Sequence, residues 1–171
     1  MFKEGAVMTK REEAARFLDT KFRAAVWRAE TILVKNRPTG WKMSRSSNCP
    51  DHTSEDAHHH TLALRRDGDG DPDEFWDPYI YIRISFAFFR RQEEDTLVWI
   101  DASVQYWKRH PITKCLCGSA IVPAKLEIDL KVDNHIELLE LMSSHLVESL
   151  AEECERSWKR MGNFLLGLET D

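Results

Sequence analysis

Long apolar runs are absent from this chain: stretches such as Phe86-Ala87-Phe88-Phe89 are short, which excludes a helix that spans a bilayer. Cysteine is sparse, with four residues in 171, at Cys49, Cys115, Cys117 and Cys154. That density and spacing exclude the disulfide framework of a small secreted scaffold, and reduced thiols are expected. Glycine is scarce too, at seven scattered residues, so a glycine-rich phosphate cradle has nothing to be built from. G-x-S-x-G and H-E-x-x-H are both missing, which removes the familiar serine-hydrolase and zinc-protease signatures. Met1-Phe2-Lys3-Glu4-Gly5 opens without the apolar stretch of a signal peptide, and a cytoplasmic protein is expected.

What is present is the material of a globular core. Six Trp and eight Phe stand in a chain that is 42% hydrophobic and 31% charged. The net charge of −5 is unevenly spread. Residues 1–45 hold eleven Lys/Arg against five Asp/Glu, whereas residues 46–77 hold two against nine. A basic front end is followed by an acidic segment.

Periodicity predicts one α+β domain over residues 1–171. A first helix is expected over 9–36. Thr9 and Glu12 form a capping box, and Ala14, Leu18, Phe22, Ala25, Ala29 and Leu33 repeat at three- and four-residue steps. Residues 38–57, rich in Ser, Asn, Asp and Pro, read as loop. An antiparallel sheet of four or five strands is expected over 58–133. It begins near His58–Arg66, and 67–74 form a polar turn. The clearest strand alternates Ile80, Ile82, Ile84, Phe86 and Phe88 with Tyr79, Tyr81, Arg83, Ser85 and Ala87. Val98, Ile100, Ala102 and Val104 repeat that pattern, then a weaker strand covers Leu116–Val122 and another carries Leu126, Ile128, Leu130 and Val132. A second helix runs over 134–162, capped by Asn134 and stopped at Gly162. Both helices pack on the face that carries Ile80, Ile82 and Ile84.

Four kinds of chemistry can be tested against the residues. Cys49, His52, Cys115 and Cys117 are ligand types that zinc prefers, but the paired C-x-x-C spacing is missing. On a strand His58 and His60 share one face and His59 the other, so the triplet cannot close on one ion. Two H-x-T/S elements, as a two-histidine phosphoesterase needs, fail because His110-Pro111-Ile112-Thr113 is one residue out of step. A nuclease built on Pro72-Asp73 and Asp129-Leu130-Lys131 requires carboxylates from separated segments to meet on one ion. The run Asp67, Asp69, Asp71 starts like a calcium loop, but Pro72 and Pro78 occupy the places of its glycine and glutamate.

The surfaces say more. Arg16, Arg23 and Trp27 fall on the first helix opposite its apolar stripe, and Arg and Trp are the types enriched at binding hot spots. Tyr79, Tyr81, Trp99 and Trp107 point from the sheet face that the helices do not cover. The expectation is a non-enzymatic interaction module, of the kind formed by a small inhibitor, adaptor or regulator such as phages and plasmids encode. It binds a protein partner or a second copy of itself through these two faces, without a cofactor. One alternative is a zinc protein or metal-dependent hydrolase on the His/Cys set. The other is nucleic-acid binding through the basic helix, which the net −11 of the remaining chain opposes.

Overall fold

A computed structural model describes residues 7–35, 40–49, 57–66, 79–90, 96–109, 116–117 and 120–165. The chain runs α1 (Lys10–Lys35), β1 (Trp41–Asn48), β2 (His58–Arg66), β3 (Tyr79–Arg90), β4 (Thr96–Arg109), β5 (Leu116–Cys117), β6 (Ala120–Asp129) and α2 (His135–Leu165). It is an α+β fold in which β1-β2-β3-β4-β6 form an antiparallel meander. The two-residue β5 pairs with the end of β4.

Alternation sets the layers. Ile80, Ile82, Ile84, Phe86 and Phe88 on β3, with Val98, Ile100, Ala102 and Val104 on β4, all point to one side and are buried. Leu18, Phe22, Ala25, Ala29 and Leu33 of α1 and Leu139, Leu146, Leu150 and Met161 of α2 meet them in a single core. Both helices therefore lie on that face. They run side by side in the same direction, because Glu13 approaches His135, Lys21 reaches Glu140, and Trp41, just past α1, meets Trp158 edge-on at 5.8 Å.

The capping box forms: Thr9 N–H donates to Glu12 Oε2 at 2.8 Å and Glu12 N–H to Thr9 Oγ1 at 3.2 Å. Gly40, at φ +84°, turns the chain from α1 into β1, a conformation that a side chain would strain.

The structure differs from the sequence expectation in three places. Residues 41–48, within the stretch read as loop, are a strand paired with β2 from Trp41↔Arg66 to Asn48↔His59. It is an edge strand whose inward positions pass from Trp41 and Met43 to Arg45 and Ser47, so the apolar alternation fades after two residues. The weak strand at Leu116–Val122 divides into β5 and the start of β6. Around Pro123, which has no N–H to give the ladder, the register with β4 shifts between Ile100 and Ala102. Helix α2 passes through Gly162 to Leu165, because a glycine lowers helix stability without ending the helix. The turn at 67–74, the 110–113 element and Asp73 lie outside the described residues.

Candidate functional site

Strand β1 is the edge of the sheet, and among the described residues nothing pairs with its outer side. Helix α1 rests on β2 and β3, so β1 extends beyond the helix and leaves a groove of about 180 Å³. Arg23 and Trp27 form its helical wall, Arg45 and Ser47 its strand wall, and His60 its floor. Trp27 is 54% exposed, an uncommon state for the largest apolar side chain. Arg23 and Arg45 each keep about half their side chain in solvent while pairing with Asp19 at 3.0 Å and Glu30 at 3.2 Å.

At one end of this groove three elements meet in a polar cluster. His60 sits on the inner face of β2 beneath α1, and its Nε2 lies 2.8 Å from Asp19 Oδ1. Its Nδ1 lies 2.7 Å from Ser47 Oγ on the neighbouring strand. The Cys49 thiol, just past β1, donates to the same Asp19 oxygen at 3.2 Å. Burial raises the Asp19 pKa, but the hydrogen bonds from Cys49 and His60, with the charges of His60 and Arg23, outweigh it and hold the carboxyl below its ordinary value. Burial and then the adjacent Asp19 push the Cys49 thiol up to about 11, against the opposing pull of Arg23.

The histidine triplet divides as strand geometry requires. His58 and His60 point inward and are buried, and His58 stacks on Phe86 at 4.5 Å. His59 faces the other side, where burial and then Arg83 lower its pKa.

Of the residues expected to bind a partner, Arg23 and Trp27 share the groove, while Arg16 is exposed on the same helix outside its lining. On the far sheet face Tyr81 and Trp99 are half-buried. Phe89, 42% exposed, packs its ring 6.4 Å from that of Trp99. No helix among the described residues covers this face. The side chains of Tyr79 and Trp107 lie outside the description. The expected zinc set is not brought together. The register places Cys117 level with Trp41, at the opposite end of the sheet from Cys49, and eight residues of strand separate those levels by roughly 26 Å. His52 and Cys115 lie outside the described residues.

Sequence reasoning missed Asp19, Arg45 and Ser47, and did not assign His60 to the site. Recognising β1 would have found the strand residues, since pairing 41–48 with 59–66 sets Ser47 beside His60 and Arg45 beside Leu62. No family model, curated protein or solved structure matches this chain.

Proposed function

We propose that this protein is a non-enzymatic interaction module that takes an extended, acidic segment of a partner protein along the outer edge of β1. The observation that carries this reading is the convergence of Arg23, Trp27 and Arg45 on one groove beside a strand edge that nothing among the described residues pairs. An edge strand offers a row of backbone donors and acceptors, and an added strand gains affinity from them while alternate side chains supply specificity. Here the alternate side chains of the added strand would face two half-exposed guanidiniums and an indole. The charge balance supports an acidic occupant. Helix α1 and β1 together hold nine Lys/Arg against four Asp/Glu. Guanidinium binds carboxylate in a two-pronged geometry that a lysine cannot match.

Selection from a random decapeptide display library tests this reading. The expected result is enrichment of peptides with Asp or Glu at alternate positions, abolished by Arg23→Ala/Arg45→Ala. Enrichment without acidic residues, or enrichment indifferent to the double substitution, would contradict it. Competition by single-stranded oligonucleotides as strong as by the selected peptides would favour a nucleic-acid ligand instead.

A further inference from the structure

The cluster at the end of the groove has the composition of a metal centre. Asp19, Cys49 and His60 come from a helix, a strand end and a second strand, and each offers one ligand atom (a carboxylate oxygen, the thiol sulfur and a ring nitrogen) within 4.8 Å of the others. We propose that these three residues bind a single transition-metal ion of the zinc class, with a fourth coordination position left open.

The donor set selects the metal. Calcium and magnesium take oxygen ligands, whereas one thiolate, one imidazole and one carboxylate suit zinc or cobalt(II). Bonds of about 2.0–2.3 Å at tetrahedral angles place donor atoms about 3.3–3.6 Å apart. The present separations of 2.8 Å (Asp19 to His60) and 3.2 Å (Asp19 to Cys49) are those of a hydrogen-bonded, proton-filled cluster. Opening these two contacts by roughly half an ångström, with Cys49 Sγ and the His60 ring nitrogen, now within 4.8 Å, set at the same spacing, makes the centre. His60 is fixed, with 2% of its side chain exposed, while Asp19 is 26% exposed and Cys49 lies at the surface, so the outer two can adjust.

The surrounding contacts match what a metal centre requires. A ligating histidine is oriented by a partner on its second nitrogen, and a ligating carboxylate by a donor on its second oxygen. Ser47 Oγ stands 2.7 Å from His60 Nδ1, and Arg23 donates to Asp19 Oδ2 at 3.0 Å. Both nitrogens of the ring and both oxygens of the carboxylate are thereby engaged. On binding, the Cys49 S–H bond breaks, the sulfur keeps the electron pair and bonds the ion, and the proton leaves to solvent. The Nε2–H that His60 gives to Asp19 breaks as well, its proton passing to solvent from a doubly protonated ring or to Nδ1 from a neutral one, so that the Nε2 lone pair bonds the ion while Nδ1–H faces Ser47 Oγ. A dication held by one thiolate and one carboxylate is neutral overall, so the buried side of the site gains no net charge. This site stands independently of the peptide-binding reading.

The test uses the full chain, stripped with chelator and titrated separately with zinc and cobalt(II). The expected result is one equivalent of either ion, a thiolate-to-cobalt charge-transfer band, release of the thiol proton, and a higher melting temperature with zinc. Cys49→Ser removes the band, and both Cys49→Ser and Asp19→Asn weaken binding by at least about tenfold. Because Cys49 is exposed, the stripped Cys49→Ser protein is expected to keep the wild-type circular dichroism spectrum and melting temperature, which separates lost ligation from lost fold. Cys115→Ser/Cys117→Ser and His52→Ala are expected to bind as wild type, and Arg45→Ala to keep one equivalent even where it loses peptide. No stoichiometric uptake, uptake that survives Cys49→Ser, or uptake lost in the Cys115/Cys117 or His52 variants would overturn the proposal.

Discussion

The two flanks of helix α1 carry similar residues and use them differently. On the flank toward α2, the charges are spent on packing. Lys10 Nζ donates to the carbonyls of Lys131 at 2.9 Å and Val132 at 3.2 Å. Lys21 Nζ donates to Glu140 Oε1 at 2.7 Å and Ser144 Oγ at 2.6 Å, and Glu13 Oε2 lies 3.3 Å from His135 Nε2. On the flank toward β1, Arg23 and Trp27 border a groove, with Asp19 in the cluster at its end, and nothing among the described residues closes it. The difference follows from the sheet: α2 lies against α1 along its length, whereas β1 extends past the helix. Charges that bridge two helices stabilise the fold, and those beside the groove pair with Asp19 and Glu30 while keeping about half their side chains in solvent.

The comparison can be broken by substitution. The largest effect is expected beneath both flanks, where Phe86 is fully buried and meets Phe22 edge-on at 5.8 Å. Phe86→Ala is expected to lower unfolding free energy by about 3–5 kcal/mol, measured by urea denaturation. On the α2 flank, Lys21→Ala removes the ion pair with the solvent-facing Glu140 and the hydrogen bond to Ser144, and a loss smaller than that of Phe86→Ala but larger than any on the β1 flank is expected in the same measurement. On the β1 flank, Arg23→Ala removes an exposed i,i+4 pair and should cost no more than about 0.5 kcal/mol. Trp27→Ala should cost as little.

Acid titration compares the flanks in one experiment. Glu140, held by hydrogen bonds from Lys21 and Ser144, and Asp19, held by its cluster, both titrate below their usual values of 4.5 and 3.8. Each folded-state pKa is depressed, so each group's stabilisation is present above its unfolded pKa. It is lost as pH falls through the folded one. In metal-free protein the urea midpoint should fall below about pH 4, and Glu140→Gln and Asp19→Asn should each flatten part of that decline. A decline unchanged in both variants would place the acid sensitivity elsewhere.

The parts of the fold that were legible in the sequence are those where burial is one-sided and continuous. The stripe from Ala14 to Leu33 and the alternation from Ile80 to Phe88 define α1 and β3, and the buried set agrees with them. Strand β1 was illegible because an edge strand under an open groove has little apolar face to display; Arg45 and Ser47 occupy inward positions. Missing that strand hid the cluster, since Cys49 and His60 are neighbours only once the β1–β2 register is known. Arg23 and Trp27 were visible from helical spacing alone. Asp19, between them and the buried Leu18, carried no signal until His60 was placed beneath it.

Backbone amide mapping by heteronuclear NMR, with a peptide from the acidic selection, tests the central claim most directly. The account predicts shift changes concentrated in residues 41–49 and along 19–30, with amide exchange slowed on β1. Changes centred instead on the far sheet face around Tyr81, Phe89 and Trp99, with β1 unperturbed, would contradict it.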